Sequence, residues 1–377
     1  MDTGIIYTAA VIFPQKIVDW SGFLARPGMA PPAHGSLQEL RKAPILILGA
    51  GGSIGSALAL RVAALEPPKL VLVEASESHL DALQRQWAQA RIAVPTVFCL
   101  GSVADRSLLE ETFALHAPAL VFHAAAFKYV PLLEEQPLAA IENNIFATLT
   151  LMQAAAGARV LLLSTDKAVE PASVLGATKR VAEQIVLSAG GAALRLGNVL
   201  ASRGSVAEVF ARQIAAGGPL TLTDPTARRY FLTLDEAVNL LLSAALESQP
   251  GSPVLLAPTL PAPHSIADLA RFMIQKLAPD HTIPVDVTGL RAGDKQTEAF
   301  WSTTETPGPA KNPGLLSIAS PLPTGGKLRS ALAQLRAALD ARDLPGALHP
   351  LQALVPGYTP SPALLALAAA STPRVPA

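Results

Sequence analysis

The stretch ILILGAGGSIGS, Ile45 to Ser56, decides the fold. A short apolar run enters glycines at 49, 52 and 55, and a helical pattern follows from Ser53 to about Leu65. Strand, glycine turn and helix, in that order, can bring a backbone against a phosphate. The glycines permit the tight turn and close approach, and the helix N-terminus offers unpaired N–H groups and a positive dipole end. This G-x-x-G-x-x-G spacing assigns Gly49, Gly51, Gly52, Ser53, Ile54 and Gly55 to a pyrophosphate-binding turn. The next apolar run, KLVLVE, ends at Glu74, 19 residues after Gly55. A carboxylate there can accept hydrogen bonds from the adenosine ribose hydroxyls and repels a ribose 2′-phosphate, so NAD is expected over NADP.

Working outward, TVFCLG, ALVFHAA and RVLLLST are further continuous apolar runs separated by helix-length segments. Strands apolar on both faces, alternating with helices, imply an α/β protein: a doubly wound parallel sheet of the Rossmann type. Residues 44–196 are expected to form this dinucleotide-binding domain. Residues 197–300, where the rhythm loosens and proline recurs, suit a smaller substrate-binding lobe partly interleaved with it. Residues 1–43 read as an irregular arm, with RPGMAPPAHG as a loop and SLQELRK as a short helix. Residues 301–377 read as helical and irregular, with LRSALAQLRAALDAR helical and a frayed Pro/Ala tail. His123, Ala124 and Ala125 close the fourth strand with small residues, as a backbone passing beneath a cofactor requires.

Composition excludes several classes. Half of the 377 residues are hydrophobic and 15% are charged, as in a packed globular chain. The 29 basic and 29 acidic residues cancel, and no basic stripe points to nucleic acid or a membrane surface. The single cysteine, Cys99, excludes an internal disulfide framework and fits a reducing cytoplasm. The apolar stretches GIIYTAAVIF and ALLALAAA are shorter than the roughly 20 residues a spanning helix needs. The first also lacks a basic flank before it. A soluble cytoplasmic protein without membrane insertion is expected. The histidines show no metal-ligand spacing, and no metal is expected.

A second stretch, STDKAVEPASVLGATKR from Ser164 to Arg180, carries the chemistry. Nucleotide-dependent dehydrogenases usually have Tyr-x-x-x-Lys here; this chain has Leu175-x-x-x-Lys179. Leucine moves no proton. Asp166 and Lys167 instead supply an acid/base pair at a strand end, where open α/β sheets bind their ligands. A lysine base near neutrality needs a lowered pKa, toward which burial and Lys179 push. Asp166 needs a raised one, which burial favours and the lysines oppose.

Together GAGGSIGS, LGSVADRS, HAAAFKYVPLLEEQP with ENNIFAT, STDKAVEPASVLGATKR, RLGNVLASRGSV, GGPLTLTDPTARRYF and GLRAGDKQTEAF resemble the extended short-chain dehydrogenase/reductases. More narrowly they resemble the UDP-N-acetylglucosamine 4,6-dehydratases of bacterial polysaccharide and glycan biosynthesis, in family order from about Ala43 to Phe300. Many members carry N-terminal membrane helices, and this chain looks like a soluble version. The resemblance implies hydride transfer from sugar carbon 4 to NAD, loss of water across carbons 5 and 6, and hydride return at carbon 6. It assigns Asp166 to protonating the leaving 6-hydroxyl, Lys167 to carbon 5, Thr165 to the 4-hydroxyl and Lys179 to the nicotinamide ribose. Acceptors for the 4-hydroxyl proton are Thr165 through water, Lys179 or, more weakly, Tyr129.

The resemblance also places Ser102 and Val103 toward the adenine. Asn198, Ser202, Arg203, Ser205, Arg229, Arg291 and Lys295 fall around a UDP-hexose, with Asn198 and Arg291 near its phosphates and Arg229 near the nucleotide. Lys128, Pro131, Glu134 and Asn144 fall on the sugar side. A homodimer or higher homo-oligomer is implied. The chain departs from the pattern at Leu48, often threonine, at Ser102, often aspartate, and at Leu175. Members with methionine in place of the tyrosine exist, and likeness to them favours retention at carbon 5. A UDP-sugar 4-epimerase and a catalytically silent NAD-binding regulatory protein are the alternatives.

Overall fold

The computed structural model describes residues 18–155 and 157–371. GIIYTAAVIF and the rest of the first 17 residues lie outside them, as do residues 372–377. Six parallel strands, β1 (Ile45–Leu48), β2 (Leu70–Glu74), β3 (Thr96–Leu100), β4 (Leu120–His123), β5 (Arg159–Thr165) and β6 (Ala192–Leu196), lie in the order 3-2-1-4-5-6. This is the doubly wound Rossmann order, with the ligand crevice at the carboxyl ends of β1 and β4. Val254–Pro258 adds a seventh parallel strand beside β6, and an antiparallel hairpin (Thr306–Pro309, Leu315–Ala319) ends the sheet.

Every residue of β1, β2, β4 and β6 is buried, which explains the unbroken apolar runs: helices cover both faces. Ser53–Ala63, Glu77–Gln89 and Leu234–Glu247 share a core on one face, with Leu58, Val62, Leu83 and Leu241 at its centre. On the other, Leu109 and Leu151 pack with Leu46, Val71 and Val121, while Ala182 and Val186 pack on Leu162.

A further core brings Phe210, Leu220, Leu269 and Met273 against Trp20, Phe23 and Leu24 of the expected arm. The described part of the arm is therefore docked rather than loose: Phe23 stacks against Phe231, His264 and Phe272, and Arg26 pairs with Glu236. The C-terminal segment holds the helix expected over LRSALAQLRAALDAR and two further helices beyond it. Helices Gly325–Asp340, Leu344–Leu354 and Pro362–Ala370 pack on Ala140, Ile141, Val181 and Ile185. Ser361 caps the last helix at Leu364 N and Pro362 occupies its first turn, a start signal that the Pro/Ala composition obscured. Among the described residues no helix is long and apolar enough to cross a membrane.

Candidate active site

The glycine turn meets the end of β4 backbone to backbone. Gly49 has φ 76°, and a Cβ added there would lie 2.7 Å from Ala125 N; one at Gly55 would overlap the Gly49 carbonyl oxygen. The glycines and the small residues after His123 thus explain one another. Gly52 caps the helix Ser53–Ala63 with no side chain, leaving its first N–H groups facing the turn. Glu74 is buried beside this turn, one oxygen accepting from Gly51 N and the other from Ser76 N, each at 2.9 Å. The carboxylate expected at the ribose is thus engaged by the turn through both oxygens. Val103 is buried, and the Ser102 hydroxyl accepts from Ala104 N. His123 is sealed in the core on Thr148 Oγ1 at 3.0 Å, with burial and then Lys179 pushing it down to about 3, so it is a neutral imidazole.

Thr165 ends β5 and caps a single 3-10 turn, Asp166–Ala168, accepting from Lys167 N. This places Asp166 and Lys167, the expected acid/base pair, at the carboxyl end of β5. Asp166 is fully buried. Its Oδ1 accepts from Thr165 Oγ1 and from Lys167 Nζ, both at 3.0 Å, while Oδ2 has no donor among the described residues. Nζ also donates to Asn198 Oδ1 at 3.1 Å and lies 3.7 Å from the Glu298 carboxylate. Burial raises Asp166 above the usual carboxylate range against the pull of Lys167, with Glu298 adding to the rise. Lys167 differs from expectation. Burial works to lower it, but Asp166 and Glu298 outweigh burial, so its pKa is raised. Lys179, one turn after Leu175, is buried and brought down to about 8 by desolvation, against Glu183. Leu175 itself packs in the apolar cluster with Val130, Val174 and Ala177.

Behind the pair lies a buried ionic network. Ser164 Oγ donates to Glu183 at 2.6 Å, and the Arg195 guanidinium is forked between Glu183 and Glu305, with a further bond to the Phe300 carbonyl. All five of its N–H groups are used. Arg180 adds a second cation to both glutamates.

Around the substrate side the structure redistributes several expected roles. Glu134, expected on the sugar side, has both oxygens engaged by the protein: they accept from Val174 N and from Ser361 Oγ, each at 2.7 Å, tying the helix Val174–Ser188 to the C-terminal helix. Asn144, in a π-helical turn, clamps Phe127 through its N–H and C=O and donates to Thr178 Oγ1, so it shapes the wall. Arg229 is buried and donates to the carbonyls of Arg228, Lys295 and Gln296, so it holds a loop where nucleotide contact was expected. Lys295 turns inward to Glu298 and the Val169 carbonyl. Ser202 donates to Val199 O, and Ser205 caps the helix Val206–Ala215.

Arg203 ties the segment after β6 to the glycine turn. Its N–H donates to Ser53 Oγ and its guanidinium to the Gly51 carbonyl, while Lys128 Nζ and Tyr129 OH donate to its carbonyl. Arg291 is exposed and paired with Asp294. The residue missed in the sequence is Glu298; its signal was an acid three residues after Lys295 in GDKQTEAF. Among the described residues no group of three or more His, Cys, Asp or Glu could hold a metal ion.

The strand order, the glycine turn and the lysine one turn into the crevice define a Rossmann fold of the extended short-chain dehydrogenase/reductase type. Residues 45–319 match the family described as "Polysaccharide biosynthesis protein", and the chain belongs to it. It is 37% identical over 273 residues to the probable polysaccharide biosynthesis protein EpsC of Bacillus subtilis. It is 36% identical over 282 residues to the capsular polysaccharide biosynthesis protein CapD of Staphylococcus aureus. These matches cover 69% and 71% of this chain but only 45% and 46% of the relatives, so it spans about half their length. A UDP-glucose 4-epimerase of Rickettsia canadensis is 31% identical over 275 residues, covering 69% of this chain and 77% of that one. Pen from Bacillus thuringiensis has a similar structure, with a TM-score of 0.68 and 26% identity, covering 76% of this chain and 90% of that one. The dTDP-glucose 4,6-dehydratase DesIV of Streptomyces venezuelae, solved with NAD bound, shares the fold at a TM-score of 0.58 and 18% identity. That match covers 67% of this chain and 87% of DesIV.

Proposed function

We propose that the chain catalyses NAD-dependent 4,6-dehydration of UDP-N-acetylglucosamine to the UDP-4-keto-6-deoxy sugar. The observation that carries this reading is the buried Asp166–Lys167 pair at the end of β5, bonded at 3.0 Å and bracketed by Thr165 and Asn198. The glycine turn, Glu74 and Lys179 fit a dinucleotide: the close packing at Gly49 and Gly55 excludes side chains where a pyrophosphate needs backbone. When bound, NAD supplies a reversible hydride acceptor for sugar carbon 4.

The elimination needs a base at carbon 5 and an acid at the 6-hydroxyl. The ion pair as it stands offers neither, but one proton transfer across its 3.0 Å hydrogen bond turns carboxylate and ammonium into acid and amine. The proton Asp166 must give and the one Lys167 must lose are therefore the same. Lys167 then takes the carbon 5 proton, Asp166 protonates the departing hydroxyl, and the ion pair is restored. The resulting ammonium can return its proton to the same face of carbon 5, which supports retention. Leu175 costs this scheme nothing, since neither step uses a phenol. The 4-hydroxyl proton has Thr165 through water, or Lys179 near neutrality, as acceptor.

The similarity to a UDP-glucose 4-epimerase supports a second reading, mass-neutral inversion at carbon 4. Purified protein incubated with UDP-N-acetylglucosamine and NAD decides between them by mass spectrometry and NMR. Loss of one water is expected, and Lys167→Ala is expected to abolish it while NAD still binds. A mass-neutral product supports epimerisation, no conversion supports a silent NAD-binding protein, and water loss surviving Lys167→Ala refutes the role of the lysine.

A further inference from the structure

We infer that Glu298 is a positioning residue whose buried negative charge holds the Asp166–Lys167 pair at the protonation count the elimination needs; this rests on the dehydratase reading. Glu298 comes from a segment over a hundred residues beyond the pair, yet its carboxylate is 4% exposed and faces Lys167 Nζ at 3.7 Å. Its placement is built in layers. Lys295 Nζ lies 2.7 Å from its other oxygen and also bonds the Val169 carbonyl, directly below the catalytic turn. Arg229, itself buried, fixes the carbonyls of Lys295 and Gln296. The charged groups facing this centre are Asp166 and Lys167 from the end of β5, Arg229 from the strand Arg228–Arg229, and Lys295 from the same segment. Burial, and after it the Asp166 charge, raises the Tyr230 phenol.

Both carboxylates face the Lys167 ammonium, and because Lys295 holds Glu298 ionised it is Asp166 whose proton uptake its charge favours. Lys167 and Lys295 keep Glu298 below the usual carboxylate range despite burial, so it contributes a fixed charge. That charge favours every protonated state of the neighbouring pair. The pair is competent with one shared proton; gaining a second disables the base, and losing the one disables the acid. Both boundaries must therefore move to lower pH when the Glu298 charge is removed.

The test is the pH profile of water loss by NAD-loaded enzyme, read for wild type, Glu298→Gln and Glu298→Asp. Glu298→Gln, close in shape and uncharged, is expected to move both limbs of the bell down by roughly one to three pH units with little change in KM. Glu298→Asp is expected to keep the wild-type limbs at a reduced kcat. A Glu298→Gln profile lowered in height but unmoved along the pH axis overturns the inference and leaves a purely structural glutamate. An NMR titration of Lys167 Nζ in sugar-free, ¹⁵N-lysine-labelled enzyme, assigned with Lys167→Arg, gives a readout independent of turnover. Its midpoint is expected to fall in Glu298→Gln, and an unchanged midpoint refutes the inference. Should the wild type prove unable to dehydrate the sugar, the functional reading fails while this titration still decides the role of Glu298.

Discussion

Replacing Arg195 with methionine tests the buried ionic network behind the active site. Methionine follows much of the arginine stem, so the change removes charge and hydrogen bonds more than volume. In the wild type Arg195 is completely buried and all five of its N–H groups are bonded, four to Glu183 and Glu305 at 2.7–2.9 Å. The variant leaves two buried carboxylates with Arg180 as their shared cation, Ser164 Oγ on Glu183, and Ser320 Oγ and Ser302 N on Glu305. Breaking a buried pair by deleting one partner costs about 3–5 kcal/mol. A domain is typically stable by about 5–15 kcal/mol, so the loss is large.

The sign of its pH dependence follows from the carboxylates. Against the cost of burial, Arg195 and Arg180 hold Glu183 below the usual range and Glu305 at about 2. Stability from such depressed groups is complete above the unfolded value of 4.5 and is lost only as pH falls through the folded values. The wild type therefore changes little between pH 7 and 5. In the variant, burial is less opposed, the carboxylates take up protons at higher pH, and neutral carboxyls are cheaper to bury. Urea unfolding followed by tryptophan fluorescence at pH 7 and pH 5 should show a gap that narrows on acidification. A gap below about 1 kcal/mol at pH 7, or one that does not narrow, refutes the reasoning.

Gly55→Ala drives a methyl group into the Gly49 carbonyl, and the expected result is loss of NAD binding by calorimetry; retained affinity would show that the turn can open. Glu74→Ala frees the turn N–H groups of Gly51 and Ser76 and removes the carboxylate expected at the ribose. Loss of one charged hydrogen bond to a ribose hydroxyl, worth about 1.5–3 kcal/mol, should lower NAD affinity roughly tenfold to a hundredfold and shrink discrimination against NADP. An unchanged NAD to NADP ratio would remove the carboxylate from cofactor choice. Lys179 is held at about 8 against an ordinary 10.5, so between these values the unfolded chain binds more protons and stability rises with pH. Lys179→Met is accordingly expected to raise the melting temperature at pH 7, with the advantage shrinking above pH 8, while activity is lost. A lower melting temperature at pH 7 would contradict a costly buried ammonium.

The elements legible in the sequence were those specified by neighbours in the chain. β1, the glycine turn and the following helix depend on a dozen contiguous residues, and Asp166 and Lys167 on their position at the end of an apolar strand. What stayed hidden depends on partners far along the chain. Glu134 reads as a polar residue near a ligand until Val174 N and Ser361 Oγ claim both its oxygens. Arg229 reads as a nucleotide contact until the carbonyls of Arg228, Lys295 and Gln296 are seen to take three bonds from its guanidinium. The protonation of Lys167 was inverted for the same reason, because Glu298 joins Asp166 only through tertiary structure. The last helix was masked by its composition, although Ser361-Pro362 carried a legible start.

The hairpin that ends the sheet has a consequence for how copies of this chain can meet. Its outermost strand, Thr306–Pro309, is half proline. Proline sits on a border strand with its nitrogen toward solvent, so Pro307 and Pro309 leave that rim without backbone donors. A tenth strand from another molecule would find no ladder to join there, and self-association through this margin is blocked by two pyrrolidine rings.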